Sequence, residues 1–177
     1  DHCPGYGSAA KYIATSIKEV IRDNESFGAK KPTICIVEIM GRNAGWLTAA
    51  AALAKGEDCN GVDAIYLPER TFDIDAFMDK VKYLAETKSS VVIAVSEGVK
   101  VADGRYVCEI ANENVAVDAF GHKQMSGTAA YLAQLVASET GLKTRAIEFS
   151  TLQRAATHLA SLTDINEAFQ VGYDAVK

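Results

Sequence analysis

The stretch Ile34-Cys35-Ile36-Val37-Glu38-Ile39-Met40-Gly41-Arg42-Asn43-Ala44-Gly45-Trp46 constrains the fold of this chain more than any other. An apolar run with one internal Glu reads as a buried strand, and it passes through Gly41 and Arg42 straight into an Ala-rich helical pattern. A second run, Val91-Val92-Ile93-Ala94-Val95, is continuous and mostly β-branched, the mark of a strand covered on both faces. Strands of this kind, alternating with helical patterns of ten or more residues, specify βαβ units. Right-handed crossovers then bring the strand carboxyl ends to one edge, where ligands of open α/β sheets sit. The expected fold is α/β: a mostly parallel sheet with helices on both faces, three layers in the Rossmann manner. It is expected as a single domain over 1–177, with one irregular insertion at 99–124.

The remaining elements are read from periodicity and punctuation. Ala9, Tyr12, Ile13, Ile17, Val20 and Ile21 keep helical spacing, and Gly28 and Pro32 close that segment. The strand at 33–39 leads into a helix over 44–54, stopped by Lys55-Gly56, and a short strand at 63–67 is broken by Pro68. Asp73 caps a third helix that carries Ile74, Phe77, Met78, Val81, Leu84 and Ala85 on one face. Asp103-Gly104 reads as a hairpin turn. Helical spacing resumes at Tyr131, Leu132, Leu135 and Val136 and ends at Gly141, before a strand at 144–149. Gln153-Arg154 falls in the loop after that strand, and Asp164 with Glu167 reads as a capping box for the last helix. Trp46 and Tyr66 read as core or groove wall. Gly5-Tyr6-Gly7-Ser8-Ala9-Ala10 fits the GxGxxA dinucleotide pattern, but only four polar or turn-forming residues precede it. A glycine-rich helix start is the better reading.

Charge and composition remove several classes of function. The formal net charge of −5 argues against a nucleic-acid footprint, so an anionic ligand must be held by local arginines or lysines. No apolar stretch approaches a membrane span, and no signal peptide is visible. Cys3, Cys35, Cys59 and Cys108 show no CxxC spacing, and His2, His122 and His158 lack metal spacing, so reduced thiols in a cytoplasmic protein are expected and a metal site is not. The chain starts at Asp1 without Met and stops at Lys177 within a helical pattern, so both ends look cut from a longer polypeptide.

Three strand ends carry polar residues beside a Gly or a loop: Met40-Gly41-Arg42, Ser96-Glu97-Gly98 and Phe149–Arg154. In a parallel sheet they converge. Arg42 and Arg154 beside Glu97 suit a phosphorylated polyol, the guanidinium forks taking phosphate and the carboxylate accepting hydroxyl protons. Arg145 lies at a strand start, at the opposite edge, and reaches such a site only from a neighbouring subunit. The plainer readings stand beside these: Arg145 or Arg154 pairs with an acid, and Glu97 caps the segment after it.

The run Ile36–Trp46 resembles the sugar-phosphate motif of the 6-phosphofructokinases, and the resemblance extends from Asp1–Ala10 through Leu67-Pro68-Glu69, Ser96-Glu97-Gly98, Thr144-Arg145 and Leu152-Gln153-Arg154. It implies that Met40, Gly41 and Arg42 bind fructose 6-phosphate, with Arg42 also stabilising the transferring phosphoryl group. It assigns Glu97 to the sugar hydroxyls, Arg154 to the 6-phosphate, and Arg145 to the 6-phosphate of a neighbouring subunit. A cytoplasmic, glycolytic homodimer or homotetramer is implied, using Mg²⁺ and either ATP or pyrophosphate as donor. Thr33 stands where ATP-dependent bacterial members place a second cross-subunit arginine, leaving Lys31 or nothing for that role. Thr151 replaces a histidine or tyrosine, and Ala155-Ala156 replaces Gly-Gly. These departures, with the 99–124 insertion containing Asp118–His122, look more like the pyrophosphate-using and mixed clades. The family's general base, magnesium ligand and donor cradle lie upstream of Asp1, so residues 1–177 alone are expected to be inactive. Glu69 lies near where some members bind an effector. The rival readings are a non-catalytic sugar-phosphate-binding regulatory domain and, from Gly5-Tyr6-Gly7, a nucleotide-binding oxidoreductase domain.

Overall fold

The computed structural model of the protein describes residues 5–27, 31–111 and 127–177. The sequence readings at His2 and Cys3, at Gly28 and at 112–126, Asp118–His122 included, lie outside the described residues. Four strands, β1 (Thr33–Ile39), β2 (Ala64–Tyr66), β3 (Ser90–Ser96) and β4 (Lys143–Glu148), form one sheet in the order β2-β3-β1-β4. Every pairing is parallel, with Ile39 opposite Ser96 and Glu38 opposite Glu148. The carboxyl ends of β1, β3 and β4 therefore lie side by side.

Alternation along β1 explains the three layers. Ile34 and Ile36 point into a core built with α3 (Ile74–Thr87) and α5 (Thr128–Thr140). Cys35, Val37 and Ile39 point into a second core built with α1 (Tyr6–Ser26) and the Ala50–Ala54 segment. A strand with an apolar layer on each side has no solvent face, which is why its sequence does not alternate. In α1, Ile13, Ile17 and Ile21 recur every four residues and are buried, one stripe against the sheet. In α3, the Asp73 carboxylate accepts the Ala76 N–H at 3.0 Å, the expected cap. Gly141 ends α5 in the left-handed conformation.

Several expectations are corrected. The helix after β1 begins only at Trp46; α2 (Trp46–Ala49) gives way to a 3₁₀ turn over Ala50–Ala54. Trp46 is no core residue, being 71% exposed, whereas Tyr66 packs edge-on against Phe72 and Phe77. The part of the insertion that is described is ordered into the tight turn at Asp103-Gly104 and a short helix, α4 (Val107–Ala111). Gln153 and Arg154 lie on a one-turn helix, α6 (Leu152–Ala155), instead of a loop. The last helix, α7 (Leu162–Val176), starts one turn earlier than the proposed box, with Ser161 at its cap position. Asp164 instead reaches across to α1, accepting the Gly5 N–H at 2.9 Å, the Ser8 N–H at 2.7 Å and the Ser8 hydroxyl at 2.6 Å. At the amino end of α1 the Gly5 and Ser8 N–H groups are thus taken by a carboxylate of this chain, where a dinucleotide fingerprint would offer its N–H groups to a pyrophosphate.

Glu38 is the exception inside the sheet. It is 5% exposed, and its Oε2 accepts the Ala129 N–H at 2.8 Å in the first turn of α5. Burial pushes its carboxyl up to about 7; the Ala129 and Gly127 N–H groups oppose the shift, and Glu148 and Glu97 add to it. Between the ordinary value of 4.5 and about 7 the folded chain holds this proton and the unfolded chain does not. Stability therefore falls as pH rises through that window. Urea melts at pH 5 and pH 8 are expected to show the wild type losing about 2–3 kcal/mol relative to Glu38→Gln. Equal pH dependence in the two proteins would remove the buried-acid assignment.

Candidate functional site

The link between β1 and α2 is fixed by groups from three other chain segments. Gln153 Oε1 accepts the Met40 N–H at 3.2 Å, Glu97 Oε1 accepts the Gly41 N–H at 3.3 Å, and Glu69 Oε1 accepts the Gly45 N–H at 2.6 Å. The Ser96 hydroxyl donates to the Gly41 carbonyl and accepts the Gly98 N–H at 3.2 Å. Gly41 has φ +151, and a Cβ there would stand 2.6 Å from the Ala44 carbonyl oxygen, so only glycine makes this turn. A chain so bound presents Arg42 from a defined backbone position.

Glu97 is the centre of the charged group. Burial pushes its carboxyl above the ordinary carboxylate value, while the Gly41 N–H and the guanidiniums of Arg42 and Arg154 pull it back. Its backbone is held as well: its N–H donates to the Ile39 carbonyl at 3.0 Å, and its own carbonyl accepts the Thr128 hydroxyl at 3.3 Å. Two cations flanking one half-buried carboxylate give an edge that can take a dianion and a hydroxyl together. Arg154 is exposed on α6 and also lines a cleft of about 300 Å³, walled by Gly5, Ser8, Thr157, Asp164 and Ile165.

Met40, Gly41, Arg42, Glu97 and Arg154 therefore meet at the carboxyl edge of the sheet, and Arg145 does not join them. Its guanidinium donates to Asp23 Oδ2 at 2.8 Å and Asn24 Oδ1 at 3.3 Å and lies 4.5 Å over the Phe27 ring. Asp23 sits near the far end of α1 from Ser8, about 20 Å along the helix axis. No arginine side chain spans that. Thr33 is buried in β1, and Lys31 is exposed before it. Sequence reasoning missed Ser96, Glu69 and Gln153 as working residues. No sequence signal pointed to them, since each acts on a backbone atom of the Met40–Gly45 link. Among the described residues no group of three or more His, Cys, Asp and Glu side chains is placed to hold a metal ion. No helix among them is long and apolar enough to cross a membrane.

The fold and site define a parallel α/β protein with a cationic, carboxylate-centred sheet edge at the β1–α2 turn. The family described as phosphofructokinase matches residues 1–177, and the chain belongs to it. It is 43% identical, over all of its length, to the pyrophosphate–fructose 6-phosphate 1-phosphotransferase of Xanthomonas campestris pv. campestris, covering 42% of that protein. It is 40% identical over its whole length to the enzyme of that name from Methylococcus capsulatus, covering 41% of it. The crystal structure of a pyrophosphate-dependent phosphofructokinase from Nitrosospira multiformis matches 98% of this chain with a TM-score of 0.76 at 35% identity, over 39% of that chain. The chain thus spans about two-fifths of the length of the relatives it matches.

Proposed function

We propose that residues 1–177 are the acceptor-binding part of a pyrophosphate-dependent 6-phosphofructokinase, which moves a phosphoryl group from pyrophosphate to the 1-hydroxyl of fructose 6-phosphate. The observation that carries this reading is the meeting of Arg42, Glu97 and Arg154 at one sheet edge. The names of the relatives compared above favour pyrophosphate over ATP as donor. Arg154 takes the 6-phosphate through its planar fork, and Glu97 accepts a hydrogen bond from a sugar hydroxyl. Arg42 neutralises charge on the phosphoryl oxygens as the group transfers. The P–O bond to the leaving phosphate breaks as the bond to the sugar oxygen forms. The hydroxyl proton passes to a base that, like the magnesium ligands and the donor cradle, belongs to the rest of the polypeptide. As a unit, 1–177 is then a single substrate-binding domain with its insertion at 99–124, working in a cytoplasmic homodimer or homotetramer. Arg145 reaches a neighbour's 6-phosphate in such an assembly only by giving up or sharing Asp23.

The test uses the full-length protein with pyrophosphate and fructose 6-phosphate. Fructose 1,6-bisphosphate is expected, and Arg154→Ala is expected to raise KM for the sugar phosphate about 30-fold while leaving kcat within a few-fold. Saturable sugar-phosphate binding with no product from either donor would favour the non-catalytic regulatory reading.

A further inference from the structure

Gln153 is 2% exposed on a one-turn helix whose neighbours Thr151, Leu152, Arg154 and Ala155 are all exposed. A buried primary amide must find partners on both of its ends. Its Oε1 accepts the Met40 N–H at 3.2 Å, and its Nε2 donates to the Ser150 carbonyl at 2.9 Å. The reason lies in how β1 and β4 part. Their ladder continues one step past β4, with the Phe149 N–H donating to the Glu38 carbonyl at 3.2 Å. In a parallel ladder the next rung would join the Met40 N–H to the Phe149 carbonyl. That carbonyl is already taken by the Leu152 N–H at 3.2 Å, as the chain turns through Ser150. Ser150 has φ 46, the one non-glycine left-handed residue among the described residues. The Gln153 side chain supplies the missing rung and holds the strained turn at the same time.

We propose that Gln153 is a positioning residue for the phosphate clamp. By substituting for one ladder rung it fixes the β1 exit that carries Arg42 against the β4 exit that carries Arg154. It touches neither substrate nor reacting atoms. Its neighbour in sequence is Arg154, and its partner Met40 stands two residues before Arg42, so one amide sets the separation of the two cations. This inference rests on the acceptor-binding role proposed above.

The test is Gln153→Met in the full-length protein, a change that keeps the volume and removes both bonds. KM for fructose 6-phosphate is expected to rise about tenfold or more, while KM for pyrophosphate stays within twofold. An unchanged acceptor KM overturns the proposal, and so does an equal rise in both constants, which would mark general loosening of the fold. The Met40 amide of the wild type supplies a second measurement that needs no variant. It is expected to be strongly protected in native-state hydrogen exchange, and exchange at the rate of an exposed amide overturns the proposal. If the wild-type protein makes no sugar bisphosphate, the functional reading fails, and the Met40 amide still decides whether the rung exists.

Discussion

Arg42→Ala in the full-length protein is expected to lower kcat by about 10²-fold and to change KM for fructose 6-phosphate much less. The backbone around Arg42 is held at Met40, Gly41 and Gly45 by side chains from elsewhere, so the substitution removes a guanidinium without releasing its support. Glu97 then loses one of its two flanking cations but keeps Arg154 and the Gly41 N–H. Ground-state binding of the sugar phosphate therefore survives largely through Arg154. The loss falls on the step in which charge spreads over the transferring phosphoryl oxygens, because an interaction that strengthens there acts on kcat. Arg42→Lys restores the charge but not the planar fork, and recovery of only part of the rate is expected. Steady-state kinetics at saturating pyrophosphate measures both variants. Turnover near wild type in Arg42→Ala would remove its assignment to the transferring group.

The elements that were legible in the sequence are those whose signal is local. Thr33–Ile39 and the Val91–Val95 run announce doubly covered strands because burial on both faces leaves no polar alternation. Asp73 is legible as a cap because its partner, the Ala76 N–H, is three residues away. Asp164 has the same local pattern and does something else, since the amino end of α1 lies closer to it than a role in its own helix suggested. No spacing rule sees a partner more than 150 residues distant.

The site divides in the same way. Arg42, Glu97 and Arg154 were legible because strand ends of a parallel sheet must share an edge. Arg145 was legible as the outlier for the same reason, although Asp23 as its partner was not. Ser96, Glu69 and Gln153 act on backbone atoms of the Met40–Gly45 link, and the direction of a backbone N–H leaves no trace in a pattern of side chains. The left-handed Ser150 is invisible for a related reason, since the conformation is imposed by the turn and the residue type does not advertise it.

Gly98→Ala carries the other large effect. A Cβ at Gly98 would stand 2.0 Å from the Arg42 carbonyl oxygen and 2.5 Å from its carbonyl carbon. The obstacle is backbone, so no rotamer change relieves it. Neither side can easily retreat: the Gly98 N–H is bound to the Ser96 hydroxyl, the Glu97 N–H to Ile39, and the Gly41 and Gly45 N–H groups to Glu97 and Glu69. Contact at normal van der Waals distance requires a shift on the order of 1 Å in the segment that carries Arg42, and misplacement of that size costs about 10²-fold in rate. Overpacking adds a stability loss of about 1–3 kcal/mol. Gly104→Ala separates the two consequences. Gly104 has φ +86 with nothing within 4 Å of a built Cβ, so it incurs backbone strain alone in a turn far along the chain from Arg42. Urea melts and steady-state kinetics on both variants are expected to show stability loss in each and loss of activity only in Gly98→Ala. Activity within threefold of wild type in a folded Gly98→Ala protein would mean that the β3 exit does not support Arg42, and the arrangement of this site would have to be redrawn.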